Sequence, residues 1–182
     1  GEATTGKLPF YLRIEQTARD IAEFCGFSQG YSYSFESRKV FDKLLIPEGD
    51  QLRQAISISN PLGEDFSIMR TVSLNGMLNS LAFNYNHRNK NVRLYELGNV
   101  YLPKALPLTE LPDERMQFTL GMYGEGDFFT MKGVVEEFFE KVGLRKTAKY
   151  DPNAGKPYLH PGRQANIIYE ETVVGYIGEV HP

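Results

Sequence analysis

The sequence predicts an α+β domain built around a largely antiparallel β-sheet. Three segments place apolar residues at the 3.6-residue spacing of amphipathic helices, and the segments between them have the alternation or β-former content of half-buried strands. Strands and helices do not alternate regularly, so a parallel sheet of repeated βαβ units is not expected. At 182 residues the chain has the length of one compact domain.

Composition indicates a soluble, folded protein. The hydrophobic share is 41% and the charged share is 24%, both near the averages for globular domains. No apolar run approaches the roughly 18 residues that a membrane span needs. The single cysteine, Cys25, excludes an internal disulfide framework and fits a reducing compartment, so a cytoplasmic location is expected. The net charge of −3 argues against a wholly basic nucleic-acid clamp and leaves room only for a local basic patch.

Each predicted helix is marked by an apolar stripe. The first spans residues 12–25 and ends before a glycine, and the second spans residues 73–88. The third spans residues 129–142, where Asp127 or Thr130 is the expected N-cap and a glycine follows the last turn. Each stripe covers one face, as in a helix that is half buried.

The remaining patterned segments are predicted strands. They alternate side-chain character or are rich in β-branched and aromatic residues, and they span residues 31–35, 55–59, 92–101, 117–123, 165–169 and 173–178. The third, interrupted at Gly98, could pair antiparallel with the fourth across an irregular loop at residues 103–112. The last two are expected to form a hairpin.

The residues that most often carry chemistry are not grouped in this sequence. Its three histidines are far apart and have no ligand spacing. The glycine-rich segment 121–126 lacks the Lys-Ser/Thr ending of a phosphate loop, so it is interpreted as a turn. Cys25 lies on the apolar face of the first helix, where core packing is favoured over a nucleophilic role. The acidic residues of the third helix are interpreted as its solvated face.

Three arginines are candidates for polar recognition, because a guanidinium group suits phosphate or carboxylate ligands. Arg70 lies in the segment 67–71 and Arg93 in the predicted strand 92–101, where alternation places Arg93 and Tyr95 on one face. A nucleotide site and a structural ion pair are both open for these two arginines, and the ion pair is favoured. Arg163 follows a His-Pro-Gly sequence, which predicts a rigid turn that Arg163 either anchors or uses to contact a partner.

Five blocks of sequence, in order, resemble the synthetase-like core of the bacterial-type phenylalanyl-tRNA synthetase β subunit. Together they extend over nearly the whole chain. The blocks are residues 60–62 with 69–71, residues 94–101, residues 127–135, residues 159–163 and residues 175–182.

The resemblance implies a class II aminoacyl-tRNA synthetase-like antiparallel β-sheet flanked by helices. It implies one non-catalytic domain over residues 1–182, with residues 1–10 as a linker-like leading segment, and it places the motif-3-like strand and helix beyond Pro182. The implied role is structural: the domain packs against the catalytic α subunit in an α2β2 enzyme that attaches phenylalanine to tRNA(Phe). ATP and Mg²⁺ would then be bound by the α subunit, with no cofactor on this chain and no membrane partner.

The resemblance also suggests site residues. The first helix takes the place of the first class II motif, which makes subunit contacts, so its apolar residues are the interface candidates: Leu12, Ile14, Ala18, Ile21 and Cys25. The structural or RNA-contact candidates are Arg70, Arg93, Glu96 and Arg163. Two alternatives stay open: a stand-alone nucleotide-dependent ligase of class II fold that uses Arg70, Arg93 and Glu96, and a tRNA-contacting module that uses the basic residues between 141 and 149.

Overall fold

The computed structural model describes the backbone of residues 10–182 and the side chains of residues 13–182. The predicted leading segment, apart from residue 10, and the side chain of Leu12 lie outside the described residues. The helices are α1 (Phe10–Phe24), α2 (Val40–Lys43), α3 (Leu74–Asn86) and α4 (Phe128–Lys141). The strands are β1 (Ser28–Gln29), β2 (Phe35–Glu36), β3 (Ile68–Met69), β4 (Val92–Leu102), β5 (Asp113–Tyr123), β6 (Lys149–Asp151), β7 (Leu159–Tyr169) and β8 (Thr172–Val180).

Within residues 10–182 the strands form three small sheets. In the first, β4 lies between β1, to which it is parallel, and β5, to which it is antiparallel. The β4–β5 pairing runs from Val92 opposite Tyr123 to Leu102 opposite Asp113, which confirms the predicted antiparallel pair. The second sheet is the short pair β2–β3, and the third is the antiparallel sheet β6–β7–β8.

Helix α4 connects the first sheet to the third. Asp127, one of the two predicted N-cap residues, caps its start and forms a reciprocal capping box with Thr130, and Gly143 follows the helix with φ +88°. Val134 packs with α1 and β4, whereas the neighbouring Val135 packs with β7 and β8. Met131 contacts both of these apolar clusters. One amphipathic helix therefore covers two sheets that share no backbone hydrogen-bonded strand pair among the described residues.

Helix α1 lies against β4 and α4 with its apolar stripe inward. Ala18, Ile21 and Ala22 are buried, and Ile21 and Ala22 pack with Tyr95 and Val134. Two residues beyond the end of the helix, Gly26 has φ +86°. This left-handed conformation favours glycine because glycine has no Cβ. No helix in residues 10–182 has the length and apolar character to span a bilayer.

Several predicted elements differ from the structure. Residues 55–59 make only one isolated bridge, Ser57 with Ile68, because their partner β3 is two residues long and pairs mainly with β2. Of residues 31–35, only Phe35 is in a strand. Strand β4 continues through Gly98, and the predicted turn before Arg163 is an irregularity inside β7. Helix α2 and strands β1, β3 and β6 were not predicted.

Candidate functional site

Three charged side chains are buried together beside β4. Arg70 follows β3 and is 2% exposed, Glu96 lies in β4 and is 6% exposed, and Glu36 ends β2 at 8% exposed. Charged side chains are almost never this buried unless they are paired. We call Ser32, Glu36, Arg70 and Glu96 the buried ion cluster.

The cluster is held by a dense set of hydrogen bonds. The Arg70 Nε donates to the Asn99 carbonyl at 2.7 Å, and its Nη1 donates to the Ser32 Oγ at 2.9 Å. The Ser32 Oγ lies 2.7 and 2.8 Å from the two carboxylate oxygens of Glu96, and the Ser32 N–H donates to the same carboxylate at 3.1 Å. Arg70 Nη1 is 3.6 Å from Glu96 Oε1. A serine therefore bridges a buried ion pair.

Two glycines make room for this arrangement. A Cβ on Gly98 would collide with the guanidinium group of Arg70, and a Cβ on Gly76 would collide with the side chain of Ser32. Gly76 lies in α3, where glycine weakens a helix, and Gly98 lies within β4. Glycine is needed at both positions because another side chain packs directly against the backbone there.

The cluster holds two carboxylates and one guanidinium group. Burial raises the pKa of Glu36 to about 7, because the charged carboxylate is poorly solvated there. Arg70 and Lys43 lower the pKa of Glu36, and Glu96 raises it further. Glu36 therefore changes its charge near neutral pH.

The Arg70 guanidinium group donates its hydrogen bonds to Asn99 and Ser32 inside the protein, so these donors are not available to a nucleotide. Neither the cavity of about 850 Å³ nor the cavity of about 300 Å³ in the described residues has Arg70 or Glu96 in its wall. No group of three or more His, Cys, Asp or Glu side chains in this part of the chain is arranged to hold a metal ion. The geometry assigns Arg70 and Glu96 a structural ion pair.

Arg93 lies on the other face of β4 from Glu96. Its Nη1 donates to the Cys25 carbonyl at 3.0 Å, and its guanidinium carbon lies 5.8 Å from the centre of the Phe27 ring. The Arg93 cation satisfies a backbone carbonyl that has no helical partner at the end of α1, and it interacts favourably with the negative end of the helix dipole. On the same face, the Tyr95 hydroxyl donates to Glu23 at 2.8 Å. The structure thus separates Arg93 from Arg70 and Glu96, which the ligase alternative grouped together.

Arg163 forms a cross-strand pair on the surface. Its Nη1 is 2.8 Å from Glu179 Oε2, which joins β7 to β8. Both side chains are more than half exposed, at 63% and 54%, so solvent screens this pair and it contributes little to stability.

The interface candidates on α1 need a correction. Ala18 and Ile21 are buried in the core of this chain, at 1% and 6% exposed, so their side chains are not available to another subunit. An amphipathic stripe predicts burial, but the pattern is the same whether the covering surface belongs to this chain or to another. Ile14 and Cys25 are only half buried. Burial raises the pKa of the Cys25 thiol, with Glu137 adding to the rise and Arg93 opposing it, which lowers its reactivity.

A large apolar groove lies between the two larger sheets. Its volume is about 850 Å³, and its walls come from α3, β5, α4 and β8. Among the described residues, β5 and β8 are the outer strands of their sheets, so each turns an unpaired edge outward. The groove residues include Met77, Leu81, Phe118, Met131 and Ile177.

Comparison with solved structures identifies the class of fold. The structure is similar to pyrrolysyl-tRNA synthetase from Desulfitobacterium hafniense with a TM-score of 0.68, over 88% of this chain and 56% of that chain. Sequence identity is 15%, so the likeness concerns the fold alone. The chain is therefore an α+β domain that is similar in fold to class II aminoacyl-tRNA synthetases, and the strands in its described part form three small sheets where one largely antiparallel sheet was predicted.

The family follows from the sequence. The chain matches the profile described as phenylalanyl tRNA synthetase beta chain CLM domain over residues 1–182. It is 46% identical over 170 residues to the phenylalanine–tRNA ligase beta subunit of Clostridium acetobutylicum, and 40% identical over 169 residues to that of Clostridium tetani. Each match covers 93% of this chain and 21% of the relative, so the chain spans about a fifth of these curated relatives. The chain belongs to the phenylalanyl tRNA synthetase beta chain CLM domain family, which confirms the resemblance of its five blocks.

Sequence reasoning did not find Ser32 or Glu36. Their partners are distant along the chain, since Ser32 and Glu96 are 64 residues apart. The one local signal is the pair of glycines, Gly76 and Gly98, each placed inside a regular element.

Proposed function

We propose that this chain is a non-catalytic structural module of a phenylalanine–tRNA ligase β subunit. In this proposal it packs against the catalytic α subunit of a cytoplasmic α2β2 enzyme, which attaches phenylalanine to tRNA(Phe). ATP and Mg²⁺ are bound by the α subunit. Family membership supports the assignment to the enzyme, and the inward direction of the Arg70 donors supports the absence of chemistry on this chain.

The structural role is inferred from the contacts that the charged side chains of β4 make. By its resemblance to the family, this strand corresponds to the one that binds ATP in an active class II enzyme. Here Glu96 is bound to Ser32 and Arg70, and Arg93 is bound to the end of α1. These charged groups are already engaged in contacts within the fold, and a ligand would have to break those contacts before it could use them.

The α subunit is expected to contact the last residue of α1 and the residues that follow this helix, and not its apolar stripe. Phe24, Tyr31 and Tyr33 are 85%, 82% and 75% exposed, and they lie within ten residues of one another. Aromatic side chains are frequent in protein interfaces, because each buries a large apolar area and has few rotatable bonds whose freedom is lost on binding. The Tyr33 ring also contacts Phe66, which orients it.

The groove between β5 and β8 is expected to receive a further strand of the full-length subunit, from beyond Pro182. This chain covers 21% of the Clostridium acetobutylicum subunit, and the remaining length of the full subunit is the source we expect for the strand. A strand in the groove would hydrogen-bond to an open edge and cover the apolar wall, which removes a surface that otherwise favours aggregation.

The test is co-purification with a tagged α subunit from the same source. We expect a stable complex with the full-length β subunit, and a weaker one after Tyr31→Ser with Tyr33→Ser. Leu108→Ser with Leu111→Ser is the matched control, because both leucines are exposed in the hairpin loop away from α1. If folded wild-type protein fails to bind the α subunit, the structural role is wrong. ATP and tRNA binding by the chain alone would then be measured.

A further inference from the structure

An exposed aromatic and basic surface lies at the C-terminal end of α3. Phe83 is 62% exposed and stacks on His87, with ring centroids 4.1 Å apart and planes inclined by 30°. Arg88 and Lys90 follow directly and are exposed. We call Phe83, His87, Arg88 and Lys90 the α3 end surface. The proposed packing against the α subunit gives it no role.

This part of the sequence is free of acidic residues. The chain has 23 acidic and 20 basic residues, yet no aspartate or glutamate occurs between Asp65 and Glu96. Within residues 10–182, neither Arg88 nor Lys90 forms a salt bridge. The exposed cations of the α3 end surface therefore stand outside the salt bridges of residues 10–182, and the acidic residue held against their loop is Glu125, whose N–H binds Asn91.

The basic residues between 141 and 149 are a weaker candidate for the same role. Lys141 lies 3.9 Å from Glu137, and Lys146 lies 2.9 Å from Glu170. These carboxylates neutralise part of the charge, so a polyanion would gain less at that position.

The loop that carries Arg88 and Lys90 is fixed in place. The Asn89 N–H donates to the Asn84 carbonyl at 3.1 Å, and the two side-chain amides meet at 2.9 Å. The Tyr123 hydroxyl donates to the Asn89 carbonyl at 2.7 Å, and the Glu125 N–H donates to the Asn91 side chain at 2.8 Å. A fixed loop loses little conformational entropy when a ligand binds.

We propose that the α3 end surface binds an unpaired stretch of RNA. One base stacks on the Phe83–His87 pair, and adjacent phosphates bind Arg88 and Lys90. Exposed aromatic rings beside unpaired cations are the combination that single-stranded nucleic acid recognises, because every base has a face to stack and every phosphate carries charge. The inference rests on the proposed function, in which the RNA is the tRNA of the assembled enzyme.

The test uses the assembled α2β2 enzyme with full-length β subunit and measures the Kd for tRNA(Phe) at several salt concentrations. Phe83→Ala is expected to weaken binding about tenfold through the lost stacking. Arg88→Gln with Lys90→Gln is expected to reduce the slope of log Kd against log salt by about 1.4, at about 0.7 for each phosphate contact. ATP–pyrophosphate exchange, which needs no tRNA, gives the amount of active enzyme in each preparation.

Two control variants make the test specific. Lys104→Gln with Arg115→Gln removes two exposed cations at the opposite end of the β4–β5 hairpin, roughly 25 Å away along the strands. Phe129→Ala removes an aromatic ring that is 72% exposed on α4. Both controls are expected to bind tRNA as the wild type does. A photo-crosslinking residue at position 83 is expected to capture tRNA.

Three outcomes overturn the proposal. Unchanged tRNA affinity in the Phe83 and Arg88/Lys90 variants excludes this surface as an RNA site. Equal losses in the controls show an unspecific effect of charge or folding, and capture of another protein at position 83 assigns the surface to a protein partner. In each case a wild-type complex that still charges tRNA leaves the proposed function intact. A wild type that neither assembles nor charges tRNA contradicts the proposed function itself.

Discussion

Replacing Glu36 by glutamine is expected to stabilise the protein at pH 8 and to flatten the dependence of its stability on pH. Glu36 is 8% exposed, and it shares the single guanidinium group of the buried ion cluster with Glu96. Burial raises the pKa of this carboxyl from 4.5 to about 7. The amide keeps the shape of the side chain and carries no charge to bury.

The direction of this pH dependence follows from the pKa of Glu36 in the unfolded chain, 4.5, and in the folded chain, about 7. Below pH 4.5 Glu36 is protonated in both the folded and the unfolded chain, so it does not change the stability. Between pH 4.5 and about 7 the unfolded chain releases the proton while the folded chain retains it, so the free energy of unfolding falls as the pH rises. The difference between the pKa values corresponds to up to about 3 kcal/mol, at about 1.4 kcal/mol per pH unit.

The assay is urea unfolding of the wild type and the Glu36→Gln variant, followed by circular dichroism at pH 5, 6, 7 and 8. We expect the stability of the variant relative to the wild type to increase across this range. Glu48→Gln is the matched control, because Glu48 is an exposed carboxyl near α2, and its effect should not change with pH. A difference between wild type and Glu36→Gln that is constant from pH 5 to 8 would refute the reasoning.

Three further substitutions test the packing by urea unfolding. Gly98→Ala places a methyl group on the hydrogen-bonded guanidinium of Arg70 and should lower stability by about 1–3 kcal/mol; a neutral effect would show that the cluster relaxes easily. Gly133→Ala in α4 meets open space and should raise stability by up to about 1 kcal/mol, so a loss there would contradict the described packing. Asp127→Ala removes the cap bond to the Thr130 N–H and should cost about 1 kcal/mol, unless the end of the helix is already frayed.

The elements with local signals were predictable from the sequence. Helix α4 has its cap, its apolar stripe and its terminal glycine within the residues that form it, so each signal supports the others. The β4–β5 pair was also found, because both strands are long and rich in β-formers. In contrast, residues 55–59 alternate as a strand does, yet their neighbour β3 is too short to form a sheet with them.

The arrangement of charges was not predictable in the same way. Arg70 and Glu96 were selected as candidates from their residue types, but their bridge is Ser32, which lies 38 and 64 residues away from them. The buried face of α1 was found, and its partner was assigned wrongly for Ala18 and Ile21. A hydrophobic stripe gives the face to be covered and not the surface that covers it.

The enclosure of Arg70 also bears on how this module can change in evolution. A substitution that frees the guanidinium group for a ligand leaves Glu96 buried without its cation, which destabilises a protein by about 3–5 kcal/mol. That cost is a large part of the stability of a domain, which is about 5–15 kcal/mol. Variants on the way to a ligand-binding β4 would therefore lose much of their stability before they gained affinity, and at least Arg70, Glu96 and Ser32 would have to change together.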